Sequence, residues 1–207
     1  MKAVILNGSE NGDRALGTVH QIIVDELTSM RWEVKPFILH ELEIRHCLGC
    51  FGCWVKTPGI CVINDAGHDV ARAVIQSDLV VYLTPVTFGG YSSQLKKALD
   101  RSIGLVTPFF TKVDGEIHHV PRYERYPRIM GVGVLPQADE ESGRTDDVRR
   151  TDDVRRLFTT LVGRNAINAH APAHVGRVIF SSQGTDEIRR AIRAEIQTLF
   201  ETVEVKQ

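Results

Sequence analysis

Apolar residues in this chain form short runs that alternate with segments of helical spacing. Five runs predict strands, at residues 2–6, 34–39, 78–85, 129–135 and 175–181. Apolar positions recur at helical spacing from Leu16 to Met30, and similar patterns predict helices at 93–103, 154–162 and 185–203. Strands that alternate with helices are typical of a doubly wound α/β protein with a parallel sheet.

The predicted strands also indicate a strand order. The run DLVVYLTP at 78–85 is almost continuously apolar, as expected of a strand that helices cover on both faces. Five strands in 207 residues suit the flavodoxin-like order 2-1-3-4-5 better than a six-stranded dinucleotide-binding fold. We therefore expect a single flavodoxin-like domain over 1–207. A cysteine loop at 44–64 and an excursion at 104–127 interrupt the alternation of strands and helices. Such long irregular stretches are often functional.

Composition and charge exclude several classes of function. Lys and Arg total 25 against 26 Asp and Glu, so the chain lacks the basic face of a protein that binds nucleic acid or anionic membranes. No apolar run approaches the ~20 residues of a membrane span, and the N-terminus lacks the pattern of a signal peptide. We expect a cytoplasmic protein, in which cysteines are more often reduced, metal-bound or catalytic than paired in disulfides.

The loop after the first predicted strand has the features of a phosphate site. Asn7, Gly8 and Ser9 lie where backbone N–H groups and a helix N-terminus can hold an anion. Glycine permits close backbone approach, and Ser9 adds a hydroxyl donor. Glu10 and Asp13 share this loop, and a carboxylate beside a phosphate weakens binding unless it points away.

A second loop of interest follows the third predicted strand, in the segment 85–101 (PVTFGGYSSQLKKALDR). Pro85 ends the strand, Phe88 lies on the turn, and Gly89 and Gly90 expose the backbone. A planar ring fits on such a turn, held by backbone N–H groups and covered by an aromatic side chain. The alternative is an ordinary strand-to-helix turn with aromatic filling.

Two segments of the chain resemble one family. With its proline, aromatic turn residue, Leu–Lys pair and final Asp–Arg pair, the segment 85–101 resembles the NADPH-dependent FMN reductase family. The segment 46–65 resembles the iron–sulfur flavoprotein branch of that family. The resemblance implies a flavodoxin-like fold, FMN as cofactor and NAD(P)H as electron donor. It also implies eight flavin-binding residues: Ser9 at the phosphate, Pro85, Thr87, Phe88, Gly89 and Gly90 at the ring, and Leu135 and Pro136 near its other edge.

All four cysteines of the chain, Cys47, Cys50, Cys53 and Cys61, lie within 15 residues. Such compact spacing lets several thiolates converge on one centre, as iron–sulfur and zinc sites require. The resemblance implies that these cysteines bind a 4Fe–4S cluster. The main alternative is a loop of free thiols that packs with its apolar neighbours Phe51 and Trp54. A zinc site and a disulfide-exchange role are further alternatives.

The sequence as a whole predicts an FMN-binding NAD(P)H oxidoreductase that passes electrons to an acceptor it does not identify. One alternative is a non-enzymatic electron carrier that contains flavin and iron–sulfur groups. Another is a flavin-free binding module, which the acidic phosphate loop favours. We also expect a homodimer or homotetramer, because the excursion carries aromatic residues suited to a subunit contact: Phe109, Phe110, Tyr123 and Tyr126.

Overall fold

Seven strands and six helices make up the computed structural model, which describes residues 1–113, 115–136 and 145–201. The strands are β1 (Lys2–Asn7), β2 (Glu33–Ile38), β3 (Leu79–Pro85), β4 (Val106–Val113), β5 (Glu116–Pro121), β6 (Arg128–Leu135) and β7 (His174–Phe180). The helices are α1 (Arg14–Ser29), α2 (Gly52–Val55), α3 (Gly67–Ile75), α4 (Ser93–Arg101), α5 (Thr145–Asn168) and α6 (Thr185–Glu201).

The central sheet is parallel throughout and has the order β2-β1-β3-β6-β7. The five predicted strands correspond to these five, and every strand end agrees with its prediction within one residue. The flavodoxin-like order 2-1-3-4-5 is therefore confirmed. Strand β3 lies in the middle of the sheet and is buried along almost its whole length, which explains its continuous apolar run.

Helices cover the sheet on both faces and create two apolar cores. On one face, α1 and α6 pack against the sheet through residues such as Leu16, Ile23 and Ile192. On the other face, α3, α4 and α5 pack through residues such as Leu95 and Phe158. Within the described ranges, no helix combines the length and apolar composition needed to cross a membrane.

A buried ion pair joins the two helices of the first core. Glu26 on α1 accepts hydrogen bonds from Arg189 at 2.9 Å and Arg193 at 2.6 Å, both on α6. Burial by itself would raise the pKa of Glu26, but the two arginines outweigh it and lower the pKa below its ordinary value. The Glu26 carboxylate therefore stabilises the folded chain at neutral pH.

We expect Glu26→Gln to lower the free energy of unfolding at pH 7 by about 1–3 kcal/mol, because it removes two charge-assisted hydrogen bonds. A lowered pKa means that this stabilisation is present above the unfolded-state pKa and is lost as the pH falls through the folded-state pKa. Urea unfolding at pH 7 and at about pH 3 should therefore show a difference that shrinks in acid. Glu33→Gln, which alters an exposed pair with Lys2, is the matched control and should leave stability unchanged. An equal effect of both variants would contradict the prediction.

The excursion at 104–127 is more regular than its sequence indicates, because β4 and β5 form an antiparallel hairpin there. The register shifts between Val106 and Phe110, and this irregularity breaks the alternation that would have predicted a strand. The buried ring of His118 ties the hairpin to α5, with Nδ1 2.8 Å from Asn168 Oδ1.

The predicted helix boundaries agree less closely than the strand ends. Helix α5 spans Thr145–Asn168 rather than 154–162, and α4 ends at Arg101 rather than at 103. The apolar pattern predicts that the closing helix reaches 203, and the described part of α6 ends at Glu201; residues 202–203 lie outside the described residues.

Candidate functional site

The eight residues predicted to bind flavin lie at the carboxyl edge of the sheet. Gly8 N donates to Leu83 O at 2.7 Å, so the loop after β1 lies against the end of β3. Val86 N donates to Val134 O at 3.0 Å, so the turn after β3 lies against the end of β6. The three predicted segments are therefore neighbours: the loop at Ser9, the turn that follows Pro85, and the turn at Leu135 and Pro136.

The turn from Thr87 to Gly90 is tight and exposed. Reciprocal backbone hydrogen bonds of 3.0 and 2.9 Å join Thr87 and Gly90 across it. Phe88 and Gly89 both adopt left-handed backbone, with φ of 50° and 78°. For a non-glycine residue such a conformation costs on the order of 1 kcal/mol, and strain of this kind concentrates at functional sites. The Phe88 ring is fully exposed beside this turn.

Side chains of neighbouring segments fix the loop after β1. Ser92 Oγ donates to Gly8 O at 2.6 Å, and a Cβ on Gly8 would lie only 2.6 Å from that hydroxyl. Ser9 is buried, with its backbone oxygen 3.1 Å and its hydroxyl 3.4 Å from His40 Nδ1. The Ser9 hydroxyl is thus already engaged with His40, a neighbour that was not predicted. No spacing in the sequence relates these two residues.

The charged residues of this loop have different surroundings in the structure: one caps a helix and the others are exposed. The Asp13 carboxylate accepts from Leu16 N at 3.0 Å and caps α1, so it occupies the helix N-terminus. Glu10 is exposed. Arg14, the first residue of α1, is also exposed and forms no salt bridge with another described residue. Arg14 is thus an exposed cation at the N-terminus of α1, two residues before the predicted helical pattern starts at Leu16.

The four cysteines line one cavity of about 910 Å³ on the face of the sheet covered by α3, α4 and α5. Its walls are mainly apolar and include Tyr82 and Leu105. Cys47 and Cys50 are exposed, Cys61 is half-buried and Cys53 is buried in α2. Burial raises the pKa of the Cys53 thiol, and the negative charges of Cys61, Cys47 and Cys50 raise it further. The four thiols are therefore electrostatic neighbours.

The cavity lies next to the predicted flavin turn. Tyr91, which follows Gly90, is among its lining residues, whereas none of the eight predicted flavin residues lines it. Burial raises the pKa of Tyr91 far above its ordinary value, so its phenol stays neutral. The predicted flavin site and the thiol-lined cavity are thus adjacent but separate.

Among the described residues, no three His, Cys, Asp or Glu side chains are gathered around one metal ion. In a 4Fe–4S cluster each of four cysteines binds a different iron, so the ligands stand further apart. Four thiols that line one cavity supply the donor set of such a cluster in number and chemistry.

A buried ion pair lies beside the thiols. Arg101 on α4 donates to Asp65 in a bidentate arrangement, at 2.7 Å to Oδ2 and 2.9 Å to Oδ1. Both side chains are almost completely buried, with 1% and 4% exposure. This pair was not among the functional residues predicted from the sequence. Arg101 follows Leu95 and Ala98 at three-residue intervals on the buried face of α4, and a charge at that position was the available signal.

Comparison with known proteins identifies the family. The sequence profile of the NADPH-dependent FMN reductase family matches residues 1–117. The chain belongs to this family. The matched part contains the phosphate loop, the cysteine segment and the turn after β3, so the resemblance seen in the sequence is confirmed.

Individual relatives give a similar picture of this FMN reductase family member. An iron–sulfur flavoprotein of Archaeoglobus fulgidus is 30% identical over 102 residues, which cover 49% of each chain. The chain thus spans about half the length of the curated relatives it matches. An NAD(P)H:quinone oxidoreductase from Methanothermobacter marburgensis aligns with a TM-score of 0.63 and 11% identity, covering 93% of this chain and 96% of the other. An FMN-dependent NADH-azoreductase from Bacillus anthracis, solved with FMN, aligns with a TM-score of 0.59 and 10% identity, covering 95% and 96%. These structural likenesses establish the fold.

Proposed function

We propose that this chain is an FMN-dependent NAD(P)H oxidoreductase that passes electrons from a nicotinamide cofactor through FMN to an acceptor. The observation that carries the proposal is the meeting of three loops at the carboxyl edge of the sheet, beside an exposed turn with left-handed backbone. This edge is where doubly wound proteins bind nucleotides. Family membership supports the same conclusion.

The residues at this edge have distinct proposed roles. The loop that begins at Gly8 and Ser9 would border the FMN phosphate. The N–H groups of Gly8 and Ser9 already donate to Leu83 O and Asn7 Oδ1, so the Ser9 hydroxyl and the Arg14 guanidinium are the donors we propose for the phosphate. The turn from Thr87 to Gly90, with Pro85 before it, would hold the flavin ring, and Leu135 and Pro136 would border its other edge. When bound, FMN supplies the hydride and electron chemistry, and the protein binds and orients it. The exposed Phe88 ring borders the space that a nicotinamide would enter.

Anaerobic addition of NADH or NADPH to FMN-loaded protein tests this function. We expect the flavin absorption to bleach within the mixing time of a stopped-flow instrument or over a few seconds, with one of the two donors faster. Flavin that is bound but not reduced by either donor would favour the non-enzymatic electron carrier. A protein that stays colourless with added FMN would favour the flavin-free binding module.

We also propose that Cys47, Cys50, Cys53 and Cys61 hold a 4Fe–4S cluster. The shared cavity and the names of the relatives support the proposal. The cavity extends from the thiols to Tyr91, so such a cluster would lie close to the flavin site. An iron–sulfur group there would supply one-electron transfer.

Iron and sulfide analysis after anaerobic reconstitution decides the cysteine question. We expect about four irons per chain in the wild type and less than half as much in Cys50→Ser, because the cluster needs all four thiolates. FMN content serves as the internal control and should not change. Wild-type protein with full FMN and no iron would leave the four cysteines as free thiols that line a cavity.

The hairpin and the cysteine segment together present an exposed aromatic surface. Phe51 stacks on Trp54 at 5.4 Å, Trp54 lies 5.0 Å from His119, and Phe110 stacks on His119 at 4.8 Å. Phe109 and Phe110 remain 70% and 66% exposed. Contiguous exposed apolar residues of this kind mark interaction sites, and we propose a second copy of the chain as the occupant.

Two other aromatic residues of the excursion differ in their exposure. The Tyr126 hydroxyl donates to Leu105 O at 2.6 Å within its own chain, whereas Tyr123 is exposed. We expect sedimentation to show a homodimer or homotetramer for the wild type and a smaller species for the double variant Phe109→Ser, Phe110→Ser. A wild-type monomer that still binds FMN tightly would contradict the assembly proposal.

A further inference from the structure

Arg101 is attached to both ends of the cysteine segment. Its Nη1 donates to Arg45 O at 2.9 Å, and Arg45 lies two residues before Cys47. Its Nη2 donates to Ile63 O at 2.9 Å, and Ile63 lies two residues after Cys61. One guanidinium on α4 thus joins the two backbone stretches that flank the four thiols.

Asp65 completes this connection from the other side. Besides the two bonds from Arg101, its carboxylate accepts from Arg45 N at 3.0 Å and from Gly67 N at 2.9 Å. We call the Arg101–Asp65 pair, with these backbone bonds, the clasp. The clasp closes the 45–65 segment by contacts that involve no cysteine. These contacts hold the two ends of the segment together without using a cysteine side chain.

One hydrogen-bond donor of the clasp has no acceptor among the described residues. Arg101 Nε is buried and has no hydrogen-bond partner among the described residues, although buried donors are nearly always satisfied. Arg101 and Cys61 both line the cavity, and Nη2 is bonded to Ile63 O, two residues after Cys61.

We propose that Arg101 is a positioning residue for the sulfur site, in which the clasp pre-forms the cysteine segment and Nε–H donates to the sulfur of Cys61 in its metal-bound thiolate form. This inference rests on the proposed 4Fe–4S cluster. Groups that hydrogen-bond to metal ligands orient them and tune the metal. For iron–sulfur clusters, hydrogen bonds to sulfur are among the features that set the reduction potential.

Variants of Arg101 separate the two parts of the inference. Arg101→Met removes the clasp and the Nε donor, whereas Arg101→Lys keeps a positive charge near Asp65 but lacks the planar fork. Lys97→Met is the matched control, because Lys97 lies on the same helix and does not line the cavity. The readouts are hydrogen exchange of the 45–65 amides in iron-free protein, iron per chain after anaerobic reconstitution, and the reduction potential of the reconstituted protein.

We expect the 45–65 amides to exchange at least tenfold faster in Arg101→Met than in the wild type, and its iron content to fall below half. We expect Arg101→Lys to retain iron but to have a more negative reduction potential, because the N–H···S bond is lost. Lys97→Met should match the wild type in all three measurements. If Arg101→Met does not fold, Arg101→Lys decides the question through its potential and its exchange rates.

Two results would overturn the inference, and they differ from each other. Wild-type levels of iron, exchange and potential in the Arg101 variants would overturn it while leaving the proposed cluster intact. Absence of iron from reconstituted wild-type protein would overturn the donor role together with the proposed cluster. In that case the exchange rates of iron-free Arg101→Met would still decide whether the clasp closes the segment.

Discussion

Asp65→Asn is expected to lower the free energy of unfolding by about 3–5 kcal/mol at pH 7, the usual cost of leaving a buried charge without its partner. Arg101 is 1% exposed and cannot turn toward water when the carboxylate is lost. The asparagine would keep at most part of the backbone bonds to Arg45 and Gly67. Equilibrium unfolding in urea, followed by circular dichroism, measures the loss.

The same pair predicts a pH dependence. Burial by itself would raise the pKa of Asp65, but the hydrogen bonds from Arg101 and from the backbone of Arg45 and Gly67 lower it to about 2 from an ordinary 3.8. A lowered pKa means that the stabilisation is fully present above about pH 5 and is lost as the pH falls toward 2. The stability difference between the wild type and Asp65→Asn should therefore be constant from neutral pH to about pH 5 and shrink below that.

Asp100→Asn is the control for this prediction. Asp100 precedes Arg101 on α4 and pairs with Lys96, but both side chains are well exposed, at 44% and 59%. Exposed pairs of this kind contribute about 0.2–1 kcal/mol, so the control should lose little stability. Equal losses in Asp65→Asn and Asp100→Asn would show that the buried pair has no special role.

Gly89→Val is expected to weaken FMN binding at least tenfold, equivalent to about 1.4 kcal/mol. Gly89 has a φ of 78°, which a β-branched residue adopts only under strain. A Cβ there would also lie 3.3 Å from Leu157 Cδ1. The turn must therefore change, and with it the backbone N–H groups that we expect to hold the flavin ring. Fluorescence titration with FMN measures the dissociation constant.

Gly115→Val separates strain from flavin contact. Gly115, at the hairpin turn, has a φ of 86°, so its backbone strain is similar, and no atom of the described residues lies within 4 Å of the place its Cβ would take. It lies away from the carboxyl edge of the sheet, and FMN affinity should stay within about a factor of two, a difference below ~0.5 kcal/mol. Unchanged affinity in Gly89→Val would mean that the flavin ring lies elsewhere.

The sequence alone determined the sheet and the grouping of its loops. The five core strands were predictable within one residue because strands buried on both faces require continuous apolar runs. Ser9, the turn at 87–90 and the turn at 135–136 were predictable as neighbours because the carboxyl ends of parallel strands meet at one edge. The four cysteines were also recognisable as one group, since the chain has no others.

Only the tertiary structure decided which polar groups meet. Arg101 and Asp65 lie 36 residues apart, and Ser9 and His40 lie 31 apart, with no periodicity that relates them. The hairpin could likewise not be predicted from the sequence, because its register shift removes the alternation of apolar and polar residues that is typical of a strand. Apolar periodicity reports which face of an element is buried, whereas the pairing of polar side chains depends on how separate loops fold toward each other. For that reason the sequence predicted the cysteine segment, and the structure supplied the clasp that closes it.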